Sequence, residues 1–178
     1  STMSIANTFR IHSQNIQNIP VEAYKLKSHS IAKELKKKLA DVYLWQEVGL
    51  CWAKVTKNDT WKSRTQRLHL HSNFAYNNTD IKNSVPYQPG GVGVILTNTL
   101  SPRVIGKGKD PTGLGRWAWT RLRGKERAVT MLSAYRPCKP STAGIQTVYE
   151  QHARVLPLAQ EPRSQFLLDL RKSIEQIQ

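Results

Sequence analysis

The stretch Asp41–Glu47, DVYLWQE, decides the fold of this chain, because it is a short apolar run that ends in a carboxylate. It follows a Lys-rich segment with helical periodicity, so a buried strand is expected directly after a helix. In open α/β sheets, functional groups lie just beyond the ends of the strands. Glu47 is therefore the first residue that we expect to have a function.

A strand and a helix are predicted upstream of this stretch. Residues 9–15 begin with alternating apolar and polar side chains, a period of two that indicates a strand. Residues 21–40 place apolar side chains at every fourth position with lysines between them, which indicates an amphipathic helix. The three segments form one βαβ-like unit, and parallel strands would bring Asn15 and Glu47 to the same edge.

The middle of the chain is rich in predicted strands, which Pro and Gly clusters separate. The extended segments cover residues 67–76, 91–97, 103–106, 115–122 and 127–135. Gly124-Lys125 is a short turn between the last two, so they are expected to form an antiparallel hairpin. Of the five tryptophans, four are expected to pack in the core or on a sheet face.

The C-terminal part changes to helical character. A weak helical pattern covers residues 144–155, and a second helix is predicted to start at Pro162. The sequence ends at Gln178 within this second pattern, without a capping residue. We therefore expect a chain that is truncated before further strands.

The charge of the chain is strongly positive, since 27 Lys and Arg stand against 12 Asp and Glu, a formal net charge of +15. A polyanion is the simplest partner, with nucleic acid ahead of a membrane surface or a phosphorylated small molecule. Charge that only aids solubility is the alternative. Two cysteines without CxxC spacing argue against a disulfide scaffold and indicate an intracellular protein, nuclear or cytoplasmic. No apolar run is long enough to span a bilayer, so no membrane partner is expected.

Four motifs occur in a defined order along the chain. They are Ser13-Gln14-Asn15, Leu44-Trp45-Gln46-Glu47, the glycine-rich Gly90–Leu96 and Ser133-Ala134-Tyr135-Arg136-Pro137. In this order they resemble the endonuclease/exonuclease/phosphatase superfamily, the DNase I-like group that includes apurinic/apyrimidinic endonucleases and the endonuclease domains of non-LTR retrotransposons. The resemblance implies an α+β fold, the N-terminal portion of a four-layer α/β/β/α sandwich with mixed, largely antiparallel sheets. Residues 1–178 would form a single domain, truncated before its C-terminal strands.

The resemblance also implies a metal-dependent phosphodiester hydrolase, an endonuclease-like enzyme that acts on nucleic acid, with DNA favoured. Glu47 would ligate Mg²⁺ or Mn²⁺, Asn15 would help to hold the metal or the phosphate, and Tyr135 would contact the phosphate. One carboxylate with an amide oxygen is adequate for Mg²⁺, which usually keeps water and substrate phosphate as its other ligands. Further phosphate or nucleic-acid contacts are expected from Arg116, Arg136, Trp61, Lys62 and Arg64.

The pattern departs from the superfamily in its second half. The Asp-x-Asn pair and the terminal Asp-His pair, which would activate water and stabilise phosphate, have no counterpart, because Asp169 and His152 fall within predicted helices. We therefore expect little or no hydrolysis from these residues alone, and we expect the missing C-terminal half of the domain as a partner. The alternative is a noncatalytic nucleic-acid-binding or remnant module of the same fold.

Overall fold

The structure is a computed structural model that describes residues 9–19, 24–37, 40–51, 54–55, 71–78, 88–97, 99–141, 147–157 and 160–177. Its strands are β1 (Ile11–Asn15), β2 (Val42–Gln46), β3 (His71–Ala75), β4 (Val92–Leu96), β5 (Val104–Lys109), β6 (Trp117–Leu122) and β7 (Val129–Ala134). Its helices are α1 (Tyr24–Lys37), α2 (Val148–Val155) and α3 (Pro162–Gln176), with a 3₁₀ turn at Ser101–Arg103.

The strands form two sheets, one with the order β1-β2-β4-β3 and the other with the order β5-β6-β7. β1 and β2 are parallel, and their register aligns Asn15 with Gln46, as expected for the βαβ-like unit. All other described pairs are antiparallel, including the β6–β7 hairpin. The predicted fold class is confirmed: the chain is α+β with mixed, largely antiparallel sheets.

Alternation along β2 distributes its apolar side chains to two cores. Val42 faces the second sheet, and Tyr43 and Trp45 face α1. The core between the sheets includes Val42, Val94, Leu96, Leu122 and Met131. The core on the other face of the first sheet includes Tyr43, Trp45 and Ile95, with Ile31 of α1 packed against it. Because β4 contributes to both faces, all five of its residues are buried.

The outer face of the second sheet is covered by α3. The ring of Trp117 in β6 packs edge-to-face on Phe166, with ring centroids 5.9 Å apart. Pro162 occupies the first turn of this helix, where its missing N–H is not needed, and the Glu161 carboxylate accepts a bond from the Ser164 N–H. These features confirm the predicted start of the helix.

Two details differ from the sequence-based expectation. β5 continues to Lys109 instead of ending at Gly106, because its glycines accommodate the Trp119 ring of β6. A Cβ atom on Gly108 would lie 2.6 Å from that ring. The glycines interrupt the apolar alternation that marks a strand. In β1, Ile11 is 53 % exposed, so the alternation at this edge does not identify a buried face. Among the described residues, no helix is long and apolar enough to cross a membrane.

Candidate metal- and phosphate-binding site

Three strands end at one rim of the sandwich, and one predicted site residue lies at the end of each. Asn15 is the last residue of β1, Glu47 directly follows β2, and Tyr135 directly follows β7. The first two chain segments stay paired beyond the strands, since the Asn18 N–H donates to the Glu47 carbonyl oxygen at 2.9 Å. The rim therefore combines two residues from the first sheet with one from the second.

Tyr135 and Glu47 approach each other at this rim, one from each sheet. The Tyr135 hydroxyl lies near the Glu47 carboxylate, while the ring packs against Ala75, Val92 and Ala118. Burial raises the pKa of Tyr135 above its ordinary value, and the nearby carboxylate of Glu47 raises it further. Tyr135 is therefore a neutral hydrogen-bond donor at physiological pH.

The backbone at this rim adopts an uncommon conformation. Among the described residues, the non-glycine residues with positive φ are Gln17 at 56°, Asn18 at 65° and Glu47 at 50°. Such conformations are unfavourable for residues with a Cβ, and they persist where the surrounding structure holds them, often at functional sites. Gly49 also has positive φ, at 61°, and a Cβ there would lie 2.0 Å from the Asn18 amide oxygen. The turn after β2 is therefore closely packed around Glu47.

The donor set at the rim fits a hard cation. Asn15 is exposed, and its amide oxygen accepts the Gln17 N–H at 2.9 Å, which leaves that oxygen a second lone pair. Across the described residues, no group of three or more His, Cys, Asp and Glu side chains could hold a metal ion. A metal here would rest on the Glu47 carboxylate and the Asn15 amide. Mg²⁺ accepts such a set when water and phosphate complete its coordination, so the residues fit the ion but offer little charge to hold it alone.

The loop after Tyr135 adds two exposed side chains to the rim. Arg136 is exposed, as expected for a phosphate contact. Cys138 is also exposed and lies within hydrogen-bonding reach of the Tyr135 hydroxyl. Sequence reasoning missed Cys138, although its position three residues after Tyr135 was a signal. Of the other expected nucleic-acid contacts, Trp61, Lys62 and Arg64 lie outside the described residues.

Arg116 is placed differently from the expectation. Its side chain is fully buried, and two of its nitrogens bind the Asp110 carboxylate at 2.8 and 3.1 Å. A third contact reaches Asp169 at 3.0 Å. Because two carboxylates neutralise a guanidinium that solvent does not reach, the expected phosphate contact by Arg116 is not supported. The side chain has a structural role.

His152 completes this interior group, which we call the Arg116 cluster: Asp110, Arg116, His152 and Asp169. The His152 Nε2 atom lies 3.1 Å from the guanidinium. Burial lowers the pKa of His152, and the adjacent positive charge lowers it further, so the imidazole is neutral. Burial alone would raise the pKa of Asp110, but the hydrogen bond and charge of Arg116 outweigh it and hold that pKa below its ordinary value. The cluster fastens α2 and α3 to the start of β6.

Comparison with solved structures identifies the fold as DNase I-like. The human Nocturnin catalytic domain with a bound sulfate anion is 14% identical, with a TM-score of 0.55 over 94% of this chain and 59% of that domain. A 3′ phosphatase from Neisseria bound to a product DNA hairpin is 13% identical, with a TM-score of 0.47 over 72% of this chain and 42% of that one. The Xenopus laevis APE2 catalytic domain is 19% identical, with a TM-score of 0.47 over 73% of this chain and 46% of that domain.

The likeness to the Nocturnin domain shows a DNase I-like fold, as the motifs of the chain indicated. The chain spans less than two thirds of the length of each of these structures. No protein-family profile and no curated protein sequence matches it.

Proposed function

We propose that this chain carries the metal- and phosphate-binding part of a phosphodiester hydrolase that acts on nucleic acid, with DNA favoured over RNA. The observation that supports this most directly is the convergence of Glu47 and Tyr135 from two different sheets, with Asn15 beside them. The net charge of +15 favours a polyanionic substrate. Nocturnin, whose fold is similar, holds a sulfate anion, which supports anion binding by this type of fold.

Each rim residue has a role in this proposal. Glu47 would ligate Mg²⁺ or Mn²⁺, and Asn15 would add a neutral oxygen. When bound, the metal would neutralise phosphate charge and stabilise the leaving oxygen. Tyr135 stays protonated and has one O–H donor, so it would donate either to Glu47 or, when substrate is bound, to a phosphate oxygen. Arg136 would add a positive charge to the same loop.

A noncatalytic nucleic-acid-binding module is the second candidate, and one observation favours it. Asp169 and His152 are the only Asp and His after Tyr135 in the sequence, and both contact Arg116, His152 as a buried side chain and Asp169 as a partly buried one. Neither is placed to activate water at the rim. We therefore expect weak or no hydrolysis by residues 1–178 alone, with binding as the main activity.

Nicking of supercoiled DNA tests the hydrolase directly. The assay compares the chain with its Glu47→Ala variant in Mg²⁺, and Glu34→Ala serves as the matched control because Glu34 is an exposed glutamate on α1. We expect any nicking to be slow, to require Mg²⁺ and to disappear only in Glu47→Ala. Nicking that survives Glu47→Ala would contradict the assignment of the site.

Binding without metal separates the two candidates. If short DNA duplexes bind in EDTA and no nicking occurs in Mg²⁺ or Mn²⁺, the noncatalytic module is supported. If duplexes do not bind at low salt, both candidates fail, because a basic nucleic-acid surface binds most strongly there.

A further inference from the structure

Gln46 and Glu47 are successive residues at the end of β2, and only Glu47 has a role in the proposed site. We propose that Gln46 is a positioning residue, which fixes the two sheets against each other so that Glu47 meets Tyr135. This proposal rests on the proposed function, because it assumes that Glu47 belongs to a metal- and phosphate-binding site. Gln46 is the last residue of β2, and its side chain reaches β7 of the second sheet directly before the position where Glu47 meets Tyr135.

The Gln46 amide reaches three chain segments. Its Nε2 atom lies 3.2 Å from the Ser133 hydroxyl of β7, 3.2 Å from the Ser13 hydroxyl of β1 and 3.2 Å from the Leu44 carbonyl oxygen of its own strand. An amide group has two N–H donors, so these acceptors share them. The amide therefore connects β2 to β1 within the first sheet and to β7 of the second sheet near the rim.

Ser133 fixes the register between β7 and β2. It is 1 % exposed, and its hydroxyl donates to the Trp45 carbonyl oxygen at 2.8 Å while it accepts from Gln46. Two successive residues of β2 are thus bound by one side chain of β7, immediately before Glu47. Tyr135 follows Ser133 by two positions and lies directly after β7. A shift of one sheet along the other would break both bonds and separate Glu47 from the Tyr135 hydroxyl.

A second amide provides an internal comparison. Asn73 in β3 donates to the carbonyl oxygens of Gly108 and Trp119 at 2.9 and 2.8 Å, so it also joins the first sheet to the second. It lies two strands away from β2, about 10 Å by ordinary strand spacing. If these amides only hold the sheets together, loss of either one should have the same consequences. If Gln46 positions Glu47, only its loss should alter the rim.

The experiment compares Gln46→Met and Asn73→Leu, two near-isosteric replacements that remove the amide. Mn²⁺ affinity is measured by water-proton relaxation, and hydrogen exchange is measured at the Asn18 N–H, which binds the Glu47 carbonyl oxygen. We expect Gln46→Met to weaken Mn²⁺ about tenfold, as the loss of groups that orient a metal ligand does, and to speed exchange at Asn18 at least fivefold. We expect Asn73→Leu to lower the free energy of unfolding by a similar amount. It should leave the Mn²⁺ affinity and the exchange rate at Asn18 unchanged.

Ser133→Ala is the second variant, because it removes only a hydroxyl and folds even if Gln46→Met does not. It should change both readouts in the same direction as Gln46→Met. Equal effects of Gln46→Met and Asn73→Leu on metal affinity and exchange would overturn the proposal, as would no effect of Ser133→Ala. Glu47→Ala separates this result from the proposed function: if it leaves Mn²⁺ affinity unchanged, the metal site is wrong, and exchange at Asn18 alone then decides the role of Gln46.

Discussion

Polar groups meet at the ends of strands in two places: the Glu47 rim, formed by Asn15, Glu47 and Tyr135, and the Arg116 cluster. The two places differ in how much of each polar group is buried and bound by other protein groups. In the cluster, the guanidinium is fully buried, bound by Asp110 and Asp169 and placed 4.6 Å over the Trp117 ring. At the rim, Asn15 is exposed and Glu47 has a left-handed backbone. A charged group whose bonds are all made inside the protein destabilises the fold when one of its partners is removed. A half-buried carboxylate beside an exposed amide is the arrangement that we propose for a ligand site.

The largest effect should come from removing the charge at the centre of the cluster. Arg116→Met leaves the Asp110 carboxylate buried without its partner, and breaking a buried ion pair in this way costs about 3–5 kcal/mol. Urea unfolding at neutral pH measures the loss. The double variant Arg116→Met, Asp110→Asn should recover part of it, because Asn carries no charge. A loss below about 1 kcal/mol for Arg116→Met would show that the cluster does not support the fold.

A smaller loss is expected at the rim, from Gly49→Ala. The new Cβ would meet the Asn18 side chain at 2.0 Å in a backbone of positive φ, which together should cost about 1–3 kcal/mol. Gly106→Ala is the matched control, since a Cβ there meets its nearest atom at 3.6 Å. The free energy of unfolding of the two variants makes the comparison. Equal losses would mean that the turn after β2 is not closely packed.

The smallest effect is a dependence of stability on pH. The pKa of His152 is lowered in the folded state, so the unfolded chain binds more protons below its ordinary pKa of about 6.5. The free energy of unfolding should therefore fall as pH decreases from 7 to 5, with a slope of at most about 1.4 kcal/mol per pH unit. Asp110, whose pKa is also lowered, adds its own loss only below about pH 4.

The His152→Gln variant isolates this contribution. The difference between its pH profile and that of the wild type removes every contribution that the two proteins share. We expect the slope between pH 7 and 5 to be shallower in His152→Gln. Parallel profiles would show that His152 is not held neutral against Arg116.

The fold was predictable where a sequence pattern indicated both a strand and the elements next to it. The Asp41–Glu47 stretch predicted a buried strand, and the βαβ-like order of the three segments favoured parallel β1 and β2, which the structure shows. The full length of β5 was not predictable. Gly106 and Gly108 have no side chains that could show an alternating pattern, and they leave space for the Trp119 ring of β6.

The candidate site was predictable only in part. The order of the motifs along the chain indicated Glu47 and Tyr135 as site residues. Their roles stay predictions, which the nicking and metal-binding assays test. The role of Arg116 could not be read from the sequence, because its partners His152 and Asp169 lie 36 and 53 residues away. Charged residues within apolar helical patterns were the available signal, and they point to interior ion pairs as readily as to a site.

The exposed thiol beside Tyr135 gives the unmodified protein a reporter. Of the two cysteines, Cys51 is buried and Cys138 is exposed, so a maleimide dye should attach to one defined position without any substitution. That position adjoins the Glu47–Tyr135 contact. Fluorescence of the labelled chain would then follow the arrival of a metal ion or an oligonucleotide at the rim, even if no bond is ever cleaved there.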